Sequence, residues 1–282
     1  MKLKFIKPVH QAEWRANVVP IPKKDGKVRM CVDFKDLNKV FLKDGFPLPH
    51  IDVLVDNTTS SALMSFLDSF SGYNQIKMAS RDMTKTTFST MMPFGLKNAG
   101  MTCQQMAIAL LHDMMHNEGE VYVNDMIVKS KEGEGHIVNL RKFFEKIKEY
   151  RLRLNLQKCT FGVTTGKLLG FLVSDRGIKV DPSKIKTILE IPSPKSEKEI
   201  RGFVGRLQYI SRFIAKLTST CEPIFKLLRK NEPHEWNGEC QKAFKLITEY
   251  LLYPLILVPP MHKKPLPLYH SIIEDVVGSM LA

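Results

Sequence analysis

From Glu120 to Ser130, apolar residues alternate with polar ones through Val121 and Val123 and again through Met126 and Val128, with Asn124 and Asp125 side by side between them. That spacing predicts two short strands joined by a polar turn. A second apolar run, Ser65-Phe66-Leu67, ends in an acid, Asp68. Upstream, Trp14 to Asn38 alternates as a hairpin, with its turn at Lys23-Lys24-Asp25-Gly26-Lys27, where Asp-Gly supplies left-handed geometry. Lys43 to Asp52, with Pro47 and Pro49, reads as an extended linker. A short helix begins at Ile51 and stops by Asn57 to Ser60. Pro93-Phe94-Gly95 makes a tight turn into a helix from Asn98 to about His116, with Met106, Leu110 and Met114 on its core face.

His136 to Leu154 carries Ile137, Leu140, Phe144 and Ile147 on one face, the mark of an amphipathic helix packed on a sheet. Lys158 to Gly162 and Leu168 to Val173 read as a hairpin, closed by a turn at Asp175-Arg176-Gly177. From Ser183 the pattern turns helical and basic. Ser196 with Glu199 predicts a capping box, and Ile200, Phe203, Leu207, Ile210, Ile214 and Leu217 form one apolar stripe. Arg201, Arg206, Arg212 and Lys216 fall largely off that stripe; a solvated face explains them, and so does a surface that tracks phosphates. Cys240 to Phe244 opens another helix, and Leu255 to Val258 and Leu266 to Ser271 predict strands.

Composition narrows the field. With 282 residues, 44% hydrophobic and 25% charged, the chain is long enough for two or more compact units and has the balance of a soluble globular protein. A net charge of +13 favours a polyanionic partner. The longest apolar run, Tyr250 to Pro260, is broken by Pro254 and is too short to span a bilayer. Met1 to Pro8 lacks the apolar core of a signal peptide, so the expected location is intracellular, cytoplasmic or nuclear. Five scattered cysteines support neither a disulfide framework nor a zinc site, and His112 with His116, four residues apart, lacks a third ligand.

The candidate chemistry lies at Asp68 and at Asn124-Asp125. An Asn-Asp pair can simply satisfy its own turn by bonding the local backbone. Two strands ending in acids can also deliver paired carboxylates to one place. Such a pair needs a cation, which oxygen-loving Mg²⁺ supplies, and that arrangement is the core of a two-metal phosphoryl-transfer site.

Five segments, in order, settle which family the chain looks like. Asn17-Val18-Val19-Pro20-Ile21-Pro22-Lys23-Lys24-Asp25-Gly26-Lys27, Arg29-Met30-Cys31-Val32-Asp33-Phe34, Leu67-Asp68 through Gly72-Tyr73-Asn74-Gln75-Ile76, Met92-Pro93-Phe94-Gly95-Leu96-Lys97-Asn98-Ala99-Gly100 and Tyr122-Val123-Asn124-Asp125 closely resemble the reverse transcriptase of gypsy-type LTR retrotransposons. The resemblance implies an α+β right-hand polymerase. Fingers and palm would occupy residues 1–182, a helical thumb 183–232, and the connection with the start of an RNase H-like domain 233–282. It implies RNA-directed DNA polymerase activity on an RNA/DNA template-primer, with deoxynucleoside triphosphates as substrates. Two Mg²⁺ ions would be held at Asp68, Asp125 and Asn124.

By the same resemblance Lys23, Lys24 and Arg29 would contact the triphosphate. Tyr73, Phe94 and Gly95 would shape the nucleotide pocket, Gly170 and Phe171 would grip the primer end, and Arg201, Arg206 and Arg212 would follow the duplex. Two departures stand out. The family motif is Tyr-x-Asp-Asp, whereas this chain has Asn124 at the first acid. Between Phe88 and Met92 the chain is also shorter than the family, as if a hairpin were deleted. These changes imply an impaired polymerase or, as the alternative, a non-catalytic nucleic-acid-binding remnant.

Overall fold

A computed structural model describes residues 16–22, 26, 28–86, 91–229, 235–253, 256–259, 265, 268–273 and 276–281. The chain divides into two compact units, Met1–Thr164 and Thr165–Ala282.

In the first unit, β1 (Val18–Pro22) and β2 (Val28–Val32) pair antiparallel as an isolated ribbon. Helix α1 (Lys35–Val40) follows, where the alternation up to Asn38 predicts strand. The predicted short helix is α2 (Ile51–Thr58). A four-stranded antiparallel sheet then organises the unit. Its order is β4-β5-β3-β6, formed by β3 (Leu63–Asp68), β4 (Gly119–Tyr122), β5 (Asp125–Ser130) and β6 (Thr160–Val163). Lys158 to Gly162 therefore does not pair with Leu168 to Val173 as predicted. It completes this sheet against β3, with Gly162 N donating to Ser65 Oγ at 3.0 Å.

A 3-10 turn at Gly72–Gln75, helix α3 (Ser80–Thr86) and helix α4 (Ala99–Leu111) lie between the first two sheet strands in sequence. Helix α4 ends five residues before the predicted His116, and turns run on from there to β4. Helix α5 (His136–Glu149) covers the sheet with α4. Leu67, Ala107, Leu110, Leu111, Met114, Val121, Met126, Val128, Phe143 and Ile147 make up the shared core.

The buried face of α5 is rotated from the predicted one. Ile137 and Phe144 are exposed, while His136, Phe143 and Ile147 are buried. The cause is His136, whose ring fits between two hydroxyls: Nε2 lies 2.8 Å from Ser65 Oγ and Nδ1 2.9 Å from Ser130 Oγ. A polar residue that finds its partners inside turns the helix as effectively as an apolar one.

In the second unit, β7 (Thr165–Leu168), β8 (Phe171–Ser174) and β9 (Gly177–Val180) form an antiparallel meander. Helix α6 (Pro182–Leu189) starts on an Asp181 cap with proline in its first turn. Helix α7 (Glu197–Tyr209) has the predicted capping box, complete in both directions, and buries Ile200, Phe203 and Leu207. The stripe does not continue as one helix. Ile214 and Leu217 fall beyond a 3-10 turn at Ser211–Phe213, next to and within α8 (Leu217–Lys226). Helix α9 (Gly238–Leu252) packs on α6 and α8 and closes this core through Phe244, whose ring centroid lies 5.1 Å from that of Phe203.

Leu257 makes a single bridge to Ile178 rather than the predicted strand, and Leu255 lies outside the described residues. The last hairpin pairs β10 (Leu268–Ile273) with β11 (Val276–Leu281).

Candidate active site

Asp68 closes β3 and Asp125 opens β5, and the register of these central strands sets the two residues directly opposite each other. Opposed residues of an antiparallel pair share a face, with Cα atoms roughly 5 Å apart. Both carboxylates therefore leave the sheet together, beside the tip of the β4–β5 hairpin. Asp125 reaches solvent, yet the protein packed around its carboxyl withholds hydration and raises its pKa above the ordinary carboxylate value. The Asp68 charge adds to that, and Lys158 opposes it.

A turn supplies the opposing charge. Asn155 N donates to Asp68 O at 2.8 Å and Lys158 N to Asn155 O at 2.9 Å, which brings Lys158 Nζ to 2.9 Å from Asp68 Oδ2. Among the described residues no three His, Cys, Asp or Glu side chains gather around one point, so the carboxylates available here are these two.

The hairpin tip is Val123-Asn124 rather than the predicted Asn124-Asp125, because Asp125 already pairs with Tyr122. Val123 takes the left-handed conformation, φ 55°. For a β-branched residue this costs about 1–2 kcal/mol and persists only where the surroundings over-determine it. Helix α4 does so here. Gln104 is fully buried; its Oε1 accepts from Val123 N at 2.6 Å and its Nε2 donates to Val121 O at 3.0 Å. Sequence reasoning passed over Gln104, although an amide on the apolar side of a helix is a signal in itself. Asn124 sits over Gly72, its side chain in reach of Cys103, and its carbonyl accepts from Ser69 N at 3.1 Å.

The turn carrying Gly72 places Tyr73 next to this tip. The Tyr73 ring meets Phe94 edge-on, centroids 4.9 Å apart, and burial pushes its hydroxyl pKa up. Gly95 follows Phe94 in a turn tied to α1: Asn38 Nδ2 donates to Gly95 O at 2.8 Å, and Lys97 N donates to Asn38 Oδ1 at 2.8 Å. The structure thus brings Tyr73, Phe94 and Gly95 together, half-buried or exposed. Gln75, which showed no role in sequence, fastens the same turn through Ser69 Oγ, Phe70 O and the backbone of Arg153. Lys23 and Lys24 lie outside the described residues. Arg29 is placed in β2 opposite Ile21, and its side chain lies outside the described part.

In the second unit Gly170 has φ 86°, and a methyl group there would collide with the Tyr209 hydroxyl, which donates to Leu169 O. Phe171 is buried and stacks on Tyr209, 5.5 Å between centroids, and on Phe213, 5.7 Å. Arg201 is paired in an i,i+4 bridge with Glu197, Arg212 lies over the Phe213 ring, and Arg206 is exposed. Lys184 lies over the Tyr209 ring and lines a cavity of about 250 Å³ with Arg206 and Tyr209.

Comparison with known proteins adds the family. The profile described as "Reverse transcriptase (RNA-dependent DNA polymerase)" matches residues 21–173. The chain is 32% identical, over 100% of its length, to 24% of the Retrovirus-related Pol polyprotein from transposon 412 of Drosophila melanogaster. It is 31% identical, over 98% of its length, to 29% of the corresponding polyprotein from transposon opus of the same organism. It is 28% identical, over 94% of its length, to 20% of the Transposon Tf2-3 polyprotein of Schizosaccharomyces pombe. The chain thus spans less than a third of the length of these relatives.

Among solved structures, the foamy viral protease-reverse transcriptase dRH in complex with double-stranded DNA superposes with a TM-score of 0.87. The identity is 19%, over 99% of this chain and 51% of that one. The foamy viral protease-reverse transcriptase in complex with RNA/DNA hybrid gives 0.83 over 99% and 39%. The α+β polymerase fold is shared, a family profile covers more than half of the residues, and the chain belongs to the reverse transcriptase family.

Proposed function

We propose that this chain is the RNA-directed DNA polymerase region of a retrotransposon Pol polyprotein, built for nucleotidyl transfer and weakened in this copy at position 124. The carrying observation is the Asp68–Asp125 pair across β3 and β5, two acids set opposite each other with an ammonium drawn onto one of them. Such a donor set fits Mg²⁺, which is held through one or two carboxylates and completes its octahedron with water and substrate phosphates. When bound, the ions would stabilise the charge on the attacking and leaving oxygens.

The chain's own residues would do the rest. Asp68 and Asp125 hold the cation position, and Asn124 occupies the third place without bringing a charge. Tyr73, Phe94 and Gly95 bound the nucleotide. Lys23, Lys24 and Arg29 meet its triphosphate, where Arg29 suits paired phosphate oxygens. Gly170 and Phe171 support the primer end by backbone and shape. Arg201, Arg206 and Arg212 follow phosphates of the template-primer. In this reading residues 1–182 are fingers and palm, 183–232 the thumb and 233–282 the connection, with the β10–β11 hairpin opening an RNase H-like domain.

A second reading, a nucleic-acid-binding remnant without chemistry, is favoured by Asn124 itself. Primer extension on an RNA template with Mg²⁺, comparing this chain with Asn124→Asp, separates the two. Restoring a carboxylate worth several kcal/mol of charge stabilisation should speed extension by about a hundredfold or more. If both proteins fail to extend yet bind primer-template in a salt-dependent way, the remnant reading holds. Equal, robust extension by both would remove position 124 from the cation site.

A further inference from the structure

The surroundings of Asn124 fix more than its lack of charge. Cys103, buried on α4, directs its thiol at Asn124 Oδ1, 3.3 Å away, and at Val123 O, 3.4 Å away. On its other side the Asn124 side chain rests on Gly72, where a Cβ would collide with Oδ1 and Cγ. In both contacts it is an oxygen that faces the sulfur, so the thiol stands as donor to each. A protonated thiol is a donor, and the acceptor of an amide is its oxygen. With Cys103 and Gly72 both packed against it, that oxygen is turned into the hairpin tip, and the group left to face elsewhere is the NH₂. An NH₂ donates to oxygen and cannot ligate a cation.

We infer that Asn124 is not a weak metal ligand but no ligand at all: Cys103 holds its amide oxygen within the hairpin tip, position 124 offers the site only N–H donors, and of these three side chains only Asp68 and Asp125 hold the cation. The inference deepens the polymerase reading and rests on it. Cys103 is then a positioning residue, acting through Asn124. An aspartate at 124 in the same seat would still accept from the thiol and keep a second oxygen free, so the difference between Asn and Asp here is one of polarity as well as charge.

The test needs no catalysis. Mn²⁺ binding to the full chain would be followed by the electron paramagnetic resonance of the free ion, with circular dichroism and thermal unfolding to check that each variant folds. Asn124→Ala should bind Mn²⁺ like the unmodified chain, to within about twofold, since no ligand is lost. Cys103→Ala should bind it more tightly, by about tenfold, the usual scale for a residue that orients a neighbour at a metal site. That gain should vanish in the Cys103→Ala/Asn124→Ala double variant and be absent from Cys103→Ser, whose hydroxyl still donates.

An Asn124→Ala affinity about tenfold weaker would overturn the inference by making the amide oxygen a ligand. A Cys103→Ala affinity equal to that of the unmodified chain would overturn the role given to the thiol. Failure of the underlying reading looks different. In that case Asp68→Asn would bind Mn²⁺ as well as the unmodified chain, whatever stands at 103 or 124.

Discussion

At Asp68 the chain meets its own carboxylate with its own cation, the Lys158 ammonium, held there by a turn hydrogen-bonded to the Asp68 carbonyl. On the proposed reading, a metal ion bound at Asp68 would displace that contact. Lys158 is two-thirds exposed, so the pair is screened and worth at most about 1 kcal/mol. Lys158→Gln should therefore tighten Mn²⁺ binding only modestly, by about threefold. Weaker binding in the variant would mean that Lys158 helps to hold the site rather than to guard it.

His136 gives a second prediction at the same scale. Burial lowers its pKa, whereas in the unfolded chain it titrates near ~6.5. As pH falls, the unfolded chain takes up the proton first. The stability contributed by the neutral ring is full above about pH 6.5 and is lost as pH falls toward the lower folded value. Urea midpoints at about pH 7.5 and about pH 5.5 should separate in the unmodified chain and draw together in His136→Gln, whose amide does not titrate. An unchanged separation would assign the acid sensitivity to other groups.

Among residues, the meeting of Asp68 and Asp125 across the sheet could be read from sequence, because an acid that closes one apolar run and an acid beside a polar turn that opens another are conspicuous. Gln75 and Cys103 could not, because their roles depend on which groups the fold brings to them, and Gln104 signals only a buried amide, not the partners it meets.

Elements were legible wherever one period ran undisturbed. The capping box of α7 and the central strand pair follow the pattern directly. Helix α5 starts where the periodicity predicts but stops at Glu149 rather than Leu154, and its buried face differs, since periodicity counts His136 as polar while the structure buries it between Ser65 and Ser130. Strand β6 joins β3 rather than the following strand that local alternation predicts, because alternation does not record which of two nearby strands it will join.

The β7–β8 connection gives the prediction for this scale. Gly170 combines a left-handed φ with the Tyr209 hydroxyl seated over it, and Tyr209 is itself anchored to Leu169 O and stacked on Phe171. Gly170→Ala must pay for the backbone conformation and also displace the ring, a loss of about 2–3 kcal/mol. Thermal unfolding would measure it. A loss below about 0.5 kcal/mol would show that Tyr209 moves freely and that the stack does not hold the turn.

For the whole molecule the net charge of +13 favours a polyanionic partner, and the number of phosphates it neutralises would set how steeply salt weakens the hold. With about five phosphates neutralised, the affinity for a primer-template should fall with a log–log slope near about −4.5, a loss of hundreds of fold between about 50 and about 200 mM salt. Fluorescence anisotropy across that range would test it, and a slope shallower than about −1 would leave the basic residues without a phosphate role. Replacing Arg206 with Ala should reduce the slope by about one phosphate contact.

The clamp on the hairpin tip has a consequence for descent. Val123 and its neighbours are held by Gln104 and Cys103 from α4, so the shape of the tip does not depend on an acid at 124. Aspartate and asparagine codons differ by a single base. On the proposed reading, a lineage carrying this sequence could therefore lose the contribution of position 124 and regain it by one transition, with no refolding in between. Selection for the fold alone would keep the way back open.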